Sequence, residues 1–518
     1  MGLDDENKLV KERREKLNDI RDKGVDPYPY SFDVRHTSKT IAEKYAKLKP
    51  EEKTKDNVSV AGRIMQMRRM GKATFLHIQD HEGRVQLYFR QDDVGKEEYK
   101  LLKKIDIGDI IGAEGVIFTT KTGEVSVYVS RYSVLCKSIR PLPEKYHGLK
   151  DTEIRYRKRY LDLMMNQEVK ETFRQRSLMV AAVREFFHSK GFMDVETPAL
   201  QTIYGGANAR PFETHINAWD MKMYLSISPE LYLKRLIVGG FDKVFTICKN
   251  FRNEGVDKSH NPEFTMLECY QSWVDYEEMM KLTEECYEFA CRKMNGSTKV
   301  KYPYHGKEVE LNFKAPWPRL SMLDALKKYA DLDLSKMDEA QMKQLLNNYN
   351  IWYEGDFTWG IGVQLLFEEL VEDKLIQPVH IIDHPKESTP LCKLHRKDPR
   401  LIERFESFCL CMELCNAYSE LNDPILQKSL LVEQAEKLRA GADEAHPMDE
   451  DFVESIEYGL TPAGGLGIGI DRMAMLLTGS ESIRDVILFP TMKPDYKTID
   501  EQKATLDAEM KASLKPKK

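Results

Sequence analysis

Residues 251–270 carry a group of side chains that suits the binding of an adenine nucleotide. The segment reads FRNEGVDKSHNPEFTMLECY and its pattern predicts a hairpin. Arg252 could neutralise a phosphate, His260 could donate a further hydrogen bond, and Phe264 could stack on the base. For Arg252 alone, a surface ion pair with Glu254 is the commoner explanation. The string as a whole favours a nucleotide site.

A glycine-rich strand that runs into a helix forms a second candidate. Residues 464–476 read GGLGIGIDRMAML, and the glycines at 464, 465, 467 and 469 would let the backbone approach a ligand closely. Arg472 would then meet a phosphate at the start of the helix, where the helix dipole also favours an anion. The spacing matches neither a Rossmann GxGxxG motif nor a P-loop. Glycine content alone is weak evidence for this site.

Residues 404–424, RFESFCLCMELCNAYSELNDP, bring several acidic and polar side chains together. In a strand, Asn416, Tyr418 and Glu420 fall on one face. Glu406 and Glu413 are seven residues apart, so they converge only if the chain turns between them, and we predict a hairpin near 409–412. Two carboxylates that converge in this way could belong to one site. The alternative is a pair of surface glutamates.

The elements around these segments predict an α+β domain. Apolar residues recur at helical spacing from 166 to 190, and Gly191 is a suitable stop. A strand follows at 192–198, and we predict helices at 276–293 and 321–329. Further strand-like segments are predicted at 223–228, 243–250, 264–270, 404–420 and 464–470. This mixture indicates an antiparallel sheet flanked by helices.

The N-terminal part has a different pattern. A short amphipathic helix is predicted at 5–23, and a helix at 96–104 separates three short strands from two more. The five strands are predicted at 58–65, 74–80, 84–90, 109–120 and 124–130. Three strands, a helix and two strands is the order of an OB-fold β-barrel, which often reads single-stranded nucleic acid. Phe75 and Phe89 could stack on bases or could simply fill the core.

Composition limits the remaining possibilities. The chain has 518 residues, with 42% hydrophobic and 31% charged, which predicts two or three folded domains. Residues 1–150 hold 30 basic against 24 acidic residues, and the rest is acidic, so the two parts should meet different partners. Nine cysteines without a CxxC pair favour free thiols. No apolar stretch is long enough to cross a bilayer, which predicts a cytoplasmic protein without membrane contact.

The motifs closely resemble those of class II aminoacyl-tRNA synthetases, specifically the lysyl enzymes. FRNEG followed by HNPEF resembles motif 2, GFMDVETPAL (191–200) resembles motif 1 with Pro198 as its proline, and residues 464–476 resemble motif 3. An OB barrel before this catalytic domain is the arrangement of the aspartyl, asparaginyl and lysyl subgroup. Neither HIGH nor KMSKS occurs, so the class I lysyl enzyme is not supported.

The resemblance implies a role for each matching residue. Arg252 and Arg472 would be catalytic, and Glu406 and Glu413 would coordinate magnesium. The sequence departs from the usual pattern at 409–412, Cys-Leu-Cys-Met, where polar residues or glycine are common. Lysine would be bound by Gly206, Glu230, Arg252, Glu268, Tyr270, Asn416, Tyr418 and Glu420. ATP would be bound by Arg252, Asn253, Glu254, His260, Asn261, Phe264, Glu406, Glu413, Leu414, Gly469, Ile470, Asp471 and Arg472. The anticodon would be read by Arg63, Phe75, Gln86 and Glu124.

Charge supports lysine as the substrate. Glu230, Glu268 and Glu420 would repel one another in an empty buried pocket, and a lysine substrate brings two ammonium groups. The implied enzyme activates L-lysine with ATP, with Mg²⁺ as cofactor, and then transfers lysine to the 3′-terminal ribose of tRNA(Lys). Motif 1 implies a homodimer. Two alternatives are a lysine-activating relative that modifies a protein, which lacks the barrel, and a non-enzymatic binding protein, which would have lost the ATP residues.

We therefore expect four segments. These are a helical arm (1–56), an OB-fold anticodon-binding domain (57–147), a class II catalytic domain (148–497) and a charged tail (498–518).

Overall fold

A computed structural model describes residues 3–143, 149–353, 355–439, 446–494 and 503–504. The chain divides into two compact units, Met1–Lys150 and Asp151–Lys518. The predicted boundary near residue 148 lies outside the described residues, as does the predicted tail 498–518 apart from residues 503–504. In the described ranges no helix is long and apolar enough to cross a membrane.

The first unit is a closed five-stranded barrel with the strand order β1-β2-β3-β5-β4. Alternating apolar residues such as Leu76, Ile78 and Leu87 fill its interior. The strands are β1 (Lys53–Met70), β2 (Ala73–Gln79), β3 (Arg84–Arg90), β4 (Ile110–Thr119) and β5 (Val125–Cys136). The helices are α1 (Leu3–Asp22), α2 (Ser38–Lys44), α3 (Gln91–Val94) and α4 (Lys96–Leu102). The predicted barrel is confirmed, but the insert between β3 and β4 is two short helices instead of one.

Helix α1 is fixed to the barrel by charged side chains. The Arg13 guanidinium donates to the carbonyl oxygens of Ile107, at 2.8 Å, and Ser138, at 3.1 Å. Beneath it, the Lys137 ammonium is fully buried and pairs with Asp106 at 2.6 Å and Asp109 at 2.8 Å. Burial raises the pKa of Asp109, and the lysine opposes that rise. The helix is therefore part of the barrel's packing.

The second unit is built on an eight-stranded sheet of order β14-β15-β16-β17-β18-β11-β10-β6. Its middle pairs are antiparallel, as predicted, but the pairs at the two edges, β14 with β15 and β10 with β6, are parallel. The first strands are β6 (Met193–Asp194), β7 (Leu200–Gln201), β8 (Glu213–Ile216), β9 (Met221–Leu225), β10 (Lys243–Phe251) and β11 (Glu263–Ser272). The others are β12 (Lys299–Tyr304), β13 (Lys307–Asn312), β14 (Arg319–Ser321), β15 (Val379–Pro385), β16 (Leu401–Cys409), β17 (Met412–Ser419) and β18 (Ala463–Gly469). The strand predicted at 192–198 is limited to the two residues of β6.

Helices flank this sheet. The first are α5 (Thr152–Arg157), α6 (Arg159–Met165), α7 (Gln167–Ser189), α8 (Glu230–Val238), α9 (Tyr276–Asn295) and α10 (Met322–Ala330). The others are α11 (Glu339–Asn348), α12 (Trp359–Leu370), α13 (Pro424–Arg439), α14 (Glu450–Glu457), α15 (Ile470–Thr478) and α16 (Ile483–Val486). The helices predicted at 166–190, 276–293 and 321–329 are confirmed as α7, α9 and α10. Three of the buried side chains in the main core, Phe187, Tyr287 and Ile468, come from α7, α9 and β18.

The predicted hairpin near 409–412 is present between β16 and β17. Its central residues, Leu410 and Cys411, have φ angles of 49° and 60°, a left-handed conformation that usually selects glycine or asparagine. The turn is held from outside, because the two amides donate to the carbonyl oxygens of Ile376, at 3.1 Å, and Leu375, at 3.0 Å. The Leu410 side chain is buried in the core. Its burial offsets a backbone cost of about 1–2 kcal/mol per left-handed residue.

Candidate active site

A cavity of about 330 Å³ lies where β11, β16, β17 and β18 meet the loop that joins β10 to β11. Most of the residues predicted to bind lysine or ATP line it: Gly206, Glu230, Arg252, Glu254, His260, Asn261, Phe264, Glu268, Tyr270, Glu406, Glu413, Leu414, Asn416, Tyr418, Gly469, Asp471 and Arg472. Three others are not among the lining residues. Asn253 is on the exposed part of the loop, Ile470 is buried in the core, and Glu420 lies behind the wall.

Arg252 is half-buried and provides a positive charge inside the cavity. Its guanidinium carbon lies 5.1 Å from the centre of the Phe264 ring. Burial lowers the pKa of Arg252, and the charges of Glu254, Glu413 and Glu268 oppose that effect. Among the described side chains none forms an ion pair with Arg252, and its Nε has no hydrogen-bond partner. A guanidinium in this state suits an anionic ligand.

Arg472 is the third residue of α15 and bridges two walls of the cavity. It donates to the Glu413 carbonyl oxygen at 2.7 Å and lies 3.2 Å from the Glu413 carboxylate. It also lies 3.2 Å from Nε2 of His260, whose Nδ1 is 2.9 Å from Asp257. This arrangement is satisfied when the histidine proton is on Nδ1, an assignment made from the hydrogen bonds. Two cationic side chains thus reach the cavity from different elements.

The carboxylate of Asp471 is already occupied by protein groups. It accepts a hydrogen bond from the Thr265 amide at 2.6 Å and pairs with Arg176 of α7 at 2.5 Å. Asp471 therefore joins α7, β11 and α15, and it positions the neighbouring Arg472. Its predicted contact with ATP would have to be made in addition to these bonds.

Glu406 and Glu413 face the same cavity from β16 and β17. Glu406 is opposite Asn416 in the sheet, and Glu413 is opposite Phe408, with a register shift between Ser407 and Phe408. Each carboxylate has an arginine beside it, Arg404 for Glu406 and Arg472 for Glu413. The described residues contain no group of three or more His, Cys, Asp or Glu side chains that could hold a metal by themselves. These two carboxylates could bind Mg²⁺ only together with ligand oxygens, the usual mode for phosphate-bound magnesium.

The other end of the cavity is acidic. Glu268 is buried on β11, where it accepts a hydrogen bond from Ser228 at 2.8 Å. Burial, together with the neighbouring charge of Glu230, raises the pKa of Glu268 to about 8. Glu230, at the start of α8, accepts a hydrogen bond from the Tyr418 hydroxyl at 2.6 Å. This end therefore favours a ligand that carries positive charge.

One residue beside these glutamates, Lys234, was not predicted from the sequence. Its ammonium is buried and lies 2.6 Å from Glu230 and in direct contact with Glu420. The expectation that the three glutamates have no cation before substrate arrives is therefore wrong. The i, i+4 spacing of Glu230 and Lys234 was the available signal, but no helix was predicted over these residues.

The glycines of β18 act differently from the expectation that they make room for a ligand. A Cβ atom built at Gly465 would lie 2.0 Å from the Glu420 carboxylate and 2.5 Å from the Tyr270 ring. One at Gly467 would lie 2.8 Å from the Met266 side chain. These positions leave space for protein side chains. Gly469 is different, since no atom lies closer than 3.6 Å to such a Cβ.

In the barrel, two of the four predicted anticodon residues are in direct contact. The Gln86 amide donates to Glu124 at 2.7 Å, and His77 contacts the other oxygen of Glu124 at 2.8 Å. Phe75 is half-buried and packs 4.8 Å from the ring of Tyr88. Phe89 is buried in the barrel core, the second of the two roles considered for it, and is not available to stack on a base. Arg63 is separate from this group, for it donates to the Gly108 carbonyl at 2.8 Å and lines another groove.

Comparisons with known proteins agree with this geometry. The family model described as tRNA synthetases class II (D, K and N) matches residues 151–493, and the model of an OB-fold nucleic acid binding domain matches residues 58–135. The chain is 52% identical to the lysine–tRNA ligase of Pelotomaculum thermopropionicum over 494 residues, 95% of this chain and 96% of that one. It is 50% identical to the lysine–tRNA ligase of Clostridium novyi, covering 94% of this chain and 95% of the relative. The corresponding protein of Carboxydothermus hydrogenoformans is also 50% identical, covering 94% and 98%.

Proposed function

Because the chain belongs to the class II tRNA synthetases of the D, K and N group, we propose that it is a lysine–tRNA ligase. It joins L-lysine to ATP to give lysyl-adenylate and pyrophosphate, and then transfers lysine to the 3′-terminal ribose of tRNA(Lys). The observation that carries this proposal is the cavity with opposite charges at its two ends. Arg252 and Arg472 suit phosphate at one end, and the buried glutamates suit a diamine at the other.

The first reaction needs alignment more than acid–base chemistry. The lysine carboxylate is ionised at neutral pH, so one of its oxygens can attack the α-phosphorus while the bond to pyrophosphate breaks. Arg252, which lies close enough to Glu413 and Glu268 to feel both charges, can hold the carboxylate and the α-phosphate together, and Phe264 can support the base. Arg472 is placed to stabilise the charge of the outer phosphates. Preorganised cations of this kind lower the barrier because they need no rearrangement during the reaction.

In the second reaction the 3′-terminal ribose hydroxyl attacks the carbonyl carbon of the adenylate. The new ester bond forms as the bond between that carbon and the phosphate oxygen breaks, and AMP leaves. The hydroxyl proton passes to the departing phosphate or to solvent. The cations at Arg252 and Arg472 can remain paired with the phosphate in this step, so the same site serves both reactions.

Glu406 and Glu413 are the residues that would hold Mg²⁺ with ATP, and two carboxylates with room for phosphate oxygens fit that ion. When bound, the ion would neutralise phosphate charge.

We expect Glu413→Gln to raise the Mg²⁺ concentration for half-maximal ATP–pyrophosphate exchange about tenfold, since changes to the groups that hold a metal cost 10- to 100-fold in metal affinity. Glu285→Gln is the control, because Glu285 is similarly exposed but pairs with Lys190 on the surface. Equal Mg²⁺ requirements in the two variants would contradict this role.

Lysine binding should depend on pH because Glu268 holds a proton in the empty pocket at neutral pH. A bound ammonium group favours the carboxylate form, so that proton must leave when lysine binds. With a pKa of about 8 in the empty pocket, the Kd for lysine should fall up to about 50-fold between pH 6 and pH 8 and level off above pH 8. Calorimetric titration with lysine across this range measures the effect. A Kd that stays constant from pH 6 to pH 8 would show that Glu268 is ionised before lysine arrives.

The barrel is proposed to bind the anticodon of tRNA(Lys). Support comes from the OB-fold match, the half-buried Phe75 ring and the adjacent polar group of Gln86, Glu124 and His77, since unpaired loop bases are read by stacking and edge hydrogen bonds.

A homodimer built through motif 1 is also proposed. Its support is the exposure of apolar side chains there, namely Leu178, Met193, Leu200 and Ile203. Charging tRNA for translation would place the enzyme in the cytoplasm.

Amino-acid-dependent ATP–pyrophosphate exchange tests the proposed function. Each of the twenty amino acids is supplied with Mg²⁺ and no tRNA. Exchange with lysine alone is expected. Exchange with aspartate or asparagine would reject the assignment of the acidic end, and no exchange with any amino acid would favour a binding protein.

A further inference from the structure

Lys234 is a buried cation that belongs to the protein and sits behind the acidic end of the cavity. It lies one turn after Glu230 on α8, and its side chain is only 1% exposed. Its ammonium contacts Oε1 of Glu230 and Oε2 of Glu420. The Tyr418 ring, at 5.5 Å, and the Phe452 ring, at 5.9 Å, pack beside it. The described lining of the cavity does not include Lys234, so it does not touch the substrate directly.

The charged and titratable groups around this ammonium come from every neighbouring element. They are Glu230 on α8, Glu268 and Tyr270 on β11, Tyr418 on β17, Glu420 just after β17, Cys392 in the segment before β16, and His446 before α14. Burial alone would lower the pKa of Lys234, but Glu230 and Glu420 raise it, so the amine is charged. Burial raises the pKa of Glu420, and the charge of Lys234 opposes that rise. Burial lowers the pKa of His446 to about 4, so that ring is neutral.

The carboxylate oxygens that Lys234 does not contact are Oε2 of Glu230 and Oε1 of Glu420. The Tyr418 hydroxyl is 2.6 Å from each oxygen of Glu230. Oε1 of Glu420 occupies the space that the missing side chain of Gly465 leaves, and Gly465 lines the cavity. Apart from the Lys234 ion pair, the Glu420 oxygens have no hydrogen-bond partner in the described part of the chain. Lys234 thus holds one oxygen of each carboxylate, while Oε2 of Glu230 is bonded to Tyr418 and Oε1 of Glu420 is buried without a hydrogen-bond partner among the described residues.

We propose that Lys234 is a positioning residue that sets the charge of the amino-acid pocket, so that two negative charges remain for the two ammonium groups of lysine. This inference rests on the proposed function. Once Glu268 has lost its proton to bound lysine, three buried carboxylates and one fixed ammonium leave a net charge of two negatives, and the substrate carboxylate is matched separately by Arg252. Without Lys234, Glu230 and Glu420 would be buried without a cation between them, and two close carboxylates cannot both stay ionised. The pocket would then bind a proton that lysine must displace.

The test compares wild type with Lys234→Met by calorimetric titration of lysine at pH 7, in two buffers of different ionisation enthalpy. This measurement counts the protons released as lysine binds. Lys234→Met should release about one proton more than wild type, which itself releases the proton of Glu268. In the variant, the Kd should rise about tenfold or more at pH 7 and recover toward the wild-type value at pH 9. In exchange assays the KM for lysine should rise more than kcat falls.

Lys137→Met is the matched control. Lys137 is also a fully buried lysine between two carboxylates, but it lies in the barrel. Its loss should lower the unfolding temperature and leave the proton count and the lysine Kd unchanged. This separates a charge effect in the pocket from the general cost of removing a buried ion pair.

The outcomes separate the role of Lys234 from the proposed function. If wild type binds lysine and Lys234→Met releases the same number of protons with an unchanged pH profile, the inference is rejected while the function stands. If wild type does not bind lysine, the proposed function fails first. Should Lys234→Met not fold, the wild-type count decides alone, because release of about two protons would mean that Lys234 does not keep both partners ionised.

Discussion

Arg252→Ala should reduce kcat/KM for lysine-dependent ATP–pyrophosphate exchange by about 10³-fold or more. The reason is that this guanidinium is placed to hold both reacting groups, and removing one preorganised charge donor from an active site typically costs 10²- to 10³-fold. Losing an ionic contact to the lysine carboxylate adds to that cost. The decrease should appear in kcat as well as in KM, because the contact matters most as charge builds up on the phosphate.

The control for Arg252 is Arg174→Ala on the surface of α7. Arg174 pairs with Glu171 and is 60% exposed, so its loss should change exchange by less than about twofold. Thermal unfolding of both variants should stay close to wild type, since Arg252 has no ion-pair partner among the described residues. A folded Arg252→Ala enzyme with near-normal exchange would remove this residue from the mechanism.

Glu268→Gln should raise the KM for lysine by about 100-fold or more at pH 8 and flatten its pH dependence between pH 6 and pH 8. Glutamine has nearly the same shape but cannot become an anion, so a buried substrate ammonium would lose a charged partner, which costs about 3–5 kcal/mol. The pH dependence should disappear because the group that binds the proton in the empty pocket is gone. Steady-state exchange with lysine varied at several pH values gives both quantities.

Asp109→Asn in the barrel is the matched variant for Glu268→Gln. Both change a buried carboxyl whose pKa is raised by burial into an amide. Asp109→Asn should lower stability, because Lys137 loses a partner, yet lysine activation should keep its normal KM and pH profile. If Glu268→Gln retained the slope between pH 6 and pH 8, another group would have to be the source of the pH dependence.

The sequence was sufficient for those parts of the fold that depend on local patterns. The barrel strands, the long helix α7 and the hairpin at 409–412 follow from alternation, helical spacing and the need to bring Glu406 toward Glu413. The parallel edges of the sheet were not predictable in this way, because β6 has only two residues and gains its partner from distant β10. The turn at Leu410 is a similar case. Its left-handed backbone is supported by contacts with Leu375 and Ile376, which local sequence does not reveal.

In the candidate site, too, some residues could be predicted from local sequence and others depend on distant contacts. Glu230, Arg252 and Glu268 could be proposed because their motifs are distinctive, and the structure brings them to one cavity. Lys234 could not be placed, because a lysine on a helix is normally exposed and only the arrival of Glu420 from another strand buries it. Asp471 and Gly465 line the cavity as predicted, but their contacts with Arg176 and Glu420 were not foreseen. In each case the contacts of the residue come from packing between segments that are distant in the sequence.

The buried Lys137 has a practical consequence for anyone who wishes to excise the barrel. A fragment cut at the limits of the OB-fold match, residues 58–135, would omit this lysine by two positions and would also omit α1. Asp109 would keep its buried position without a counter-charge, at a cost of about 3–5 kcal/mol, a large part of the stability of a small domain. A usable expression fragment should therefore begin before α1 and continue beyond Arg140.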